Sequence, residues 1–473
     1  MPPALGTGVP ARSRVLPHAL RGLRYRNYRL FFAGQTVSLV GTWVTRVATS
    51  WLVWRLSGSA WLLGLVSFCG LAPTLFLGPA AGVLVDRWDR HRVLVVTQAL
   101  SLVQSAVLAW LAFTGRVTVA HVLALQVAQG VVNAVDTPAR QAFVVEMVDD
   151  RADLPNAIAL NSSMFNGSRL VGPAVGGALL AAAGEAWCFA LDAVSYVAVI
   201  GSLLAMRLPR RAGAASPAPA GAPVAALPAP AIAGATTGAP AVAAASPPVP
   251  AANSTGFVAE LREGLRYATG SPPVRAALVL VAILSLLGMP YTVLMPSIAA
   301  RALGGGPNTL GWLMTAAGAG ALAAAAYLAQ RRTVVGLGRV MLVGGAGFGT
   351  SLVLFAWAAE GARSLGLALA VLPVIGASLL LATASANTVL QTILPDALRG
   401  RVMALYTTAF LGAAPVGSLL GGALAARVGA GWTVAGCGLG VLVAAAWFAR
   451  ALPGLRAVVR PLYVERGLLP AET

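Results

Sequence analysis

An ionisable side chain inside an apolar run is costly to keep there, which makes it a functional candidate by default. Asp192, followed by Ser195 and Tyr196, stands in one such run and Arg46 in another. Arg46 is expected at a similar depth and is therefore the expected partner of Asp192. Around it lie Gln35, Ser38, Thr42, Thr45 and Thr49, spaced by three or four residues, so that one helical face is polar. That face suits the wall of a polar cavity or a close seam through Gly34, Ser38, Gly41 and Thr45. Arg46 cannot face lipid cheaply and so favours the cavity. Gln126, Gln129, Asn133 and Thr137 repeat the pattern. Beyond them Asp136 can pair with Arg140 or with the loop at Asp86, and Pro138 is expected to end the helix. Met289, Pro290, Tyr291, Thr292, Met295 and Pro296 read as a flexible gate, and Thr383, Asn387 and Gln391 place amides and a hydroxyl at i, i+4 and i+8.

These residues suit binding rather than bond-breaking. His18, His91 and His121 form no cluster, and no nucleophile–base spacing stands out, so an enzyme is not expected. All 33 basic residues are Arg. Without Lys the chain has neither a Walker motif nor a Schiff-base site. Transport would then draw on an ion gradient, the substrate's own gradient or a partner. Cys69, Cys188 and Cys437 are far apart, lack metal spacing and read as small buried hydrophobes. No cofactor and no metal are expected.

The elements that must hold these side chains are membrane helices. The 473 residues are 58% hydrophobic and 10% charged, against about 25% charged in soluble domains. Twelve apolar runs lie near 30–54, 60–85, 93–113, 118–138, 158–183, 187–207, 274–299, 308–330, 337–358, 364–393, 402–426 and 431–450, each close to the ~20 residues a span needs. An even number puts both termini on one side, and 26 of the 33 Arg then fall on that side, five on the other and two inside spans. The positive-inside rule makes the Arg-rich side cytoplasmic. The net charge of +18 is therefore orientation information with some attraction to anionic lipid, and nucleic acid is not an expected partner. Residues 1–29 form a basic cytoplasmic tail, too basic before the first run for a signal peptide. Residues 208–256 are an Ala/Pro-rich linker, Phe257 to Thr269 suit a surface helix leading into the second half (257–450), and 451–473 are a second tail.

The loop between the second and third runs, Gly82-Val83-Leu84-Val85-Asp86-Arg87-Trp88-Asp89-Arg90-His91-Arg92, packs five formal charges into seven residues. Gly82 is expected to let a neighbouring helix pack closely. The fifth run contains Gly172-Pro173-Ala174-Val175-Gly176-Gly177, a pattern of a kink and a very close neighbour. Gly176-Gly177-Ala178-Leu179 recurs as Gly421-Gly422-Ala423-Leu424 at an offset of 245, with Gly172 matching Gly417. A parallel repeat of two six-helix halves is the architecture of two-bundle transporters.

The spacing Gly-x-Leu-x-Asp-Arg-x-x-Arg from Gly82 resembles the signature loop of the major facilitator superfamily, and Gly172-Pro173-x-x-Gly176-Gly177 resembles its helix-5 antiporter motif. Arg26-Asn27-Tyr28-Arg29, Asp136-Thr137-Pro138-Ala139-Arg140 and Asn156-Ala157-Ile158-Ala159-Leu160-Asn161 resemble its enterobactin-exporter-like branch, the transmembrane secretion effectors. The resemblance implies an all-α membrane protein with twelve transmembrane helices in two six-helix bundles and both termini cytoplasmic. It would act as a monomeric multi-pass exporter in the cell membrane, moving a siderophore, drug or secondary metabolite by alternating access. Gly82, Asp86, Arg87, Arg90 and Arg140 would form the cytoplasmic gate. Gln35, Thr42, Arg46, Asn133, Tyr291 and Asn387 would line the substrate cavity. Proton antiport is implied by the superfamily, although the Arg that many proton-coupled relatives carry on helix 4 is Gln126 here; Asp136, Glu146 and Asp192 are the acids left to carry a proton. A nutrient importer on the same fold and a non-transporting receptor or assembly partner remain the other two readings.

Overall fold

The computed structural model describes residues 18–85, 87–148, 150–207, 257–331 and 333–465. Asp86, residues 1–17, the linker at 208–256 and the end of the tail at 466–473 lie outside the described residues. Among the described residues every regular element is helical. A 3-10 turn, His18–Arg24, leads into α1 (Arg26–Ser57), α2 (Ala60–Val85), α3 (Arg90–Phe113), α4 (Val119–Glu146), α5 (Leu154–Ala183) and α6 (Glu185–Leu204). After the linker come α7 (Phe257–Gly270), α8 (Pro272–Ser297), α9 (Pro307–Gln330), α10 (Leu337–Ala356), α11 (Leu365–Ile393), α12 (Asp396–Thr407), α13 (Ala413–Val428) and α14 (Ala430–Glu465). Single π turns extend α8 and α10 and join α12 to α13. Short connections make successive long helices antiparallel. The turns after α2 and α4 lie at what is called here the near end, and those after α1 and α5 at the far end.

Among the described residues ten helices are long and apolar enough to cross a membrane, where twelve spans are expected from the sequence. The two others, α1 and α5, run for 32 and 30 residues and are long enough. Their side chains make the difference: α1 carries Arg46 and a ladder of Gln, Ser and Thr, and α5 carries Asn161, Asn166 and Arg169. Both pack inside the bundle, α1 against α5 and α6, and α5 against α1 and α9.

The two halves of the chain pack alike. In the first half α1 lies on α5 and α6, α3 on α4 and α6, and α2 on α4. In the second, α8 lies on α13 and α14, α10 on α11 and α14, and α9 on α11. Across the halves α5 meets α9 and α2 meets α13, again a matched pair. The Gly residues 245 apart occupy equivalent places. A Cβ on Gly177 would stand 2.7 Å from Gly311 Cα, and one on Gly422 would stand 2.8 Å from Gly64 Cα. Backbone approach this close is open only to glycine. Within the halves, Gly172 abuts the Trp43 side chain and Gly417 the backbone of Leu286, while Gly176 abuts Val44 and Gly421 abuts Pro290.

These contacts between the halves lie toward the far end, where Arg301 Nη2 also donates to Gly58 O at 3.0 Å. Toward the near end the second helix separates from the other half. Gly78 has nothing within 4 Å of where its Cβ would be, and Phe76 is 72% exposed. Gly82, expected to seat a neighbouring helix, likewise faces open space.

Proline ends fewer helices than expected. α4 continues for two turns past Pro138, α5 runs through Pro173 and α8 through Pro290 and Pro296. Membrane helices tolerate proline because neighbouring side chains re-satisfy the freed backbone groups; Thr292 Oγ1 donates to Met289 O at 2.9 Å. Met289, Tyr291 and Met295, read as a flexible gate, are buried and packed. α14 also runs beyond position 450, through Pro453 and Pro461, to Glu465.

A clasp at the near end explains why Asn27, Tyr28 and Asn156 occur together. Asn156 Oδ1 accepts from Gly22 N at 2.7 Å, Tyr28 Oη donates to Ala157 O at 2.7 Å, and Asn27 Nδ2 donates to Arg207 O at 3.0 Å. Arg24 adds an ion pair to Asp153 at 2.7 Å. The starts of α1 and α5 and the end of α6 are thereby tied together.

Candidate functional site

A cavity of about 280 Å³ lies where the two halves meet. Its walls are unequal. The first half supplies Gln35, Thr42 and Arg46 from α1, Gln98, Ser101 and Gln104 from α3, Gln126, Gln129 and Asn133 from α4, and Arg169 from α5. The second half supplies Met289, Tyr291, Thr292 and Met295 from α8 and Met314 from α9. One wall is thus polar and charged, the other thioether-rich and adaptable. The α3 residues were missed from sequence. Thr97, Gln98, Ser101, Gln104 and Ser105 share one helical face of an apolar run, and that spacing was the available signal.

Arg46 does not pair with Asp192. Its guanidinium lies over the Trp43 ring at 4.5 Å from the centroid. Arg169, only 6% exposed, is near enough for the two guanidinium charges to repel each other, and Tyr291 lies within electrostatic range of Arg169. Trp43 can hold Arg46 there because a cation over an indole face is attracted by the ring quadrupole. Two like charges in a cavity wall attract an anion more than either would alone.

Asp192 is 2% exposed and is held by hydroxyls instead. Ser105 Oγ donates to its Oδ2 at 2.9 Å, and Ser195 Oγ lies 3.5 Å from Oδ1 while donating to the Asp192 backbone at 2.7 Å. Gly41 makes the approach possible: a Cβ there would stand 2.8 Å from Asp192 Oδ1. A carboxylate in this position touches the cavity from behind α1.

Asp136 and Arg140 form an ion pair along α4. Asp136 also accepts from Thr97 Oγ1 and Gln98 Nε2, both at 2.8 Å, and Arg140 Nη1 donates to Gln35 Oε1 at 3.3 Å. This network spans α1, α3 and α4, so Arg140 lines the cavity rather than joining the near-end loop. Removing one member of a buried pair strands the other charge. Asp136→Asn is expected to lower stability by about 3 kcal/mol. Adding Arg140→Met should recover most of that loss, read as the melting temperature in detergent.

Two residues expected at these sites lie elsewhere. Glu146 sits at the near end, paired with Arg90 at 2.7 Å and outside the cavity lining. Asn387 also stands outside it: Gln391, one turn along the same helix, donates to its Oδ1 at 2.6 Å. Its other contact is with Tyr406 on α12, so the Asn387 amide is spent on α11 and α12 rather than on the cavity. In the near-end loop Arg87 is exposed, and Asp89 caps α3 by accepting from Arg92 N at 3.2 Å. Gly172, Pro173, Gly176 and Gly177 divide between two neighbours, the first and third facing α1 and the last facing α9.

The profile of the transmembrane secretion effectors matches residues 18–229 and 240–459. The chain belongs to this family. Transmembrane secretion effectors are a family of the major facilitator superfamily, and the relatives of this chain are membrane transporters rather than enzymes. It is 27% identical to the multidrug efflux pump Tap of Mycolicibacterium fortuitum over 85% of this chain and 89% of that one. It is 29% identical to the staphyloferrin A transporter of Staphylococcus aureus over 36% of this chain, and 31% identical to a macrolide efflux protein A of Streptococcus pyogenes over 38%. Those last two matches span 42% and 44% of the relatives' own lengths. In fold, this secretion effector resembles a bacterial homologue of the iron transporter ferroportin in its inward-facing state, with a TM-score of 0.64, 14% identity, and 90% and 98% of the two chains covered. A bacterial homologue of the lysosomal transporter Spinster, also inward-facing, gives a TM-score of 0.61 at 14% identity over 92% and 96%.

Proposed function

We propose that this secretion effector exports an anionic small molecule with an apolar portion, by alternating access between the two halves. The observation that carries the substrate class is the pair Arg46 and Arg169, held in the wall of a cavity whose opposite side is Tyr291 and methionine. An anion gains from both charges, and its apolar part gains from the thioethers. Export is supported by the similarity to Tap, a multidrug efflux pump, and to macrolide efflux protein A. The name of the staphyloferrin A transporter adds a siderophore to the substrates worth assaying.

In this reading α1 and α5 also cross the membrane, giving twelve spans, and the near end with its Arg-rich loops is cytoplasmic. The molecule is then in a state sealed outside and open inside. The near-end loop, which contains Asp86 and Arg87 and whose Arg90 is paired to Glu146, would close the cytoplasmic mouth when the far end opens. Asp192 is the preferred proton carrier because it is buried beside the cavity without an Arg in contact, whereas Asp136 is already engaged by Arg140. The protein would work as a monomer in the cell membrane.

The test is efflux. Cells lacking the gene should retain a carboxylated or catecholate compound that wild-type cells release, and a protonophore should abolish its release. Asp192→Asn should cut uphill export at least ten-fold while downhill exchange in liposomes persists. Faster uptake into wild-type cells would replace export by import, and full uphill export by Asp192→Asn would remove Asp192 from coupling.

A further inference from the structure

A second cavity, of about 410 Å³, opens at the near end of the second half between the starts of α8 and α10, the end of α11 and the extension of α14. The extension is built for it. Leu452, Leu455, Val459 and Tyr463 fall at i, i+3, i+7 and i+11, so one face stays apolar past the end of the span. That face looks onto the cavity, with Phe448, Met341 and Val389 deeper in. Arg456 and Arg460, one turn apart, stand at the rim on α14, and Arg339 stands at the rim on α10. All three Arg are exposed side chains, and no Asp or Glu is among the described residues that line the cavity.

Those two features select one kind of occupant. Water gains little against an apolar wall, and apolar cavities of this sort stay dry unless an apolar group enters. A free anion would satisfy the Arg rim but would leave the wall unused. The volume is within the ~300–1,000 Å³ of ordinary small-molecule sites. Basic pockets between membrane helices at a membrane face are suited to anionic head groups. We propose that this cavity binds an anionic phospholipid of the adjacent leaflet, with its phosphate on Arg339 and Arg456 and the upper part of an acyl chain along Leu455 and Val459. None of the residues that line this cavity lines the central one. A lipid here would tie α14 to α10 and brace the second half as a rigid unit.

Native mass spectrometry of the full chain, delipidated in detergent and titrated with lipid, tests this. Phosphatidylglycerol should give a first adduct at concentrations where phosphatidylcholine of the same chain length gives none. Each Arg near an anionic head group contributes about five-fold in affinity. Arg339→Gln with Arg456→Gln should therefore weaken the first phosphatidylglycerol adduct about 25-fold. Val459→Trp, which keeps every charge but fills the apolar part, should weaken it as well, and inorganic phosphate at millimolar concentration should not compete. Equal retention of phosphatidylcholine, or full competition by phosphate, would overturn the assignment. So would unchanged phosphatidylglycerol binding in both variants, or no uptake by the wild-type chain, which would give the cavity to another segment of the chain itself.

Discussion

Arg46→Gln should cut transport of an anionic substrate about 30-fold while leaving the protein as stable as the wild type. Arg46 lies over Trp43 with no carboxylate paired to it among the described residues, and the like charge of Arg169 stands in the same cavity wall. Removing it relieves repulsion in the empty protein and removes attraction in the loaded one. Truncating one member of a desolvated charge contact costs about 2 kcal/mol or more, and about 1.4 kcal/mol is a factor of ten. The loss should appear chiefly as a raised KM, measured in liposomes with the substrate that the efflux comparison identifies. Arg46→Lys keeps the charge but loses the planar fork and the stacking on Trp43, and should recover only part of the affinity. A melting temperature that falls by several degrees in Arg46→Gln, with KM unchanged, would make Arg46 a structural residue and leave the substrate class without support.

Gly177→Leu and Gly422→Leu should each reduce transport ten-fold or more by opposing closure of the far end. Both glycines meet glycine across the interface, Gly311 and Gly64, with no room for even a Cβ. An isobutyl group there costs about 1–3 kcal/mol of overpacking, and it does so only in the state with the far end sealed. A shift of that size moves the balance of two states by roughly 5- to 150-fold. Labelling of Thr309→Cys by a membrane-impermeant maleimide should rise in both variants. Gly201→Leu is the control, because nothing lies within 4 Å of the Cβ it would gain. If the interface variants transport and label like Gly201→Leu, the contacts are incidental to the cycle.

Much of the site was legible along the chain because membrane helices leave few places for polar groups. Gln35, Thr42, Arg46 and Asn133 stand out at helical spacing in apolar runs, and all four line the cavity. Arg169, one of the two Arg inside spans, was visible in the same way, but only the glycine motif that follows it was read as functional. The α3 amides and hydroxyls were overlooked because they are scattered among Leu, Val and Ala, although together they share a face. Asn387 shows the converse: its spacing with Thr383 and Gln391 looks like a cavity wall, yet it stands outside the cavity lining, with Gln391 at i+4 and Tyr406 on α12 as its partners. Pro138 shows a third: the local rule that proline ends a helix lost to packing that holds α4 together on both sides of it.

By itself, the sequence determined the class of molecule, the run of long helices, the repeat at an offset of 245 and the residues too polar for lipid. All of these follow from one-dimensional quantities: hydropathy per residue, helical period and the position of glycine. The tertiary structure decided which charges meet. It turned Arg46 away from Asp192 and onto Trp43, engaged Asp136 with Arg140, Thr97 and Gln98, and set Glu146 against Arg90 at the near end. It also decided that the polar wall of the cavity comes from one half of the chain, although the two halves pack alike. Helical spacing places a side chain on a face, but the rotation and tilt of each helix in the bundle choose its neighbour, and those are set by where glycine lets two backbones touch.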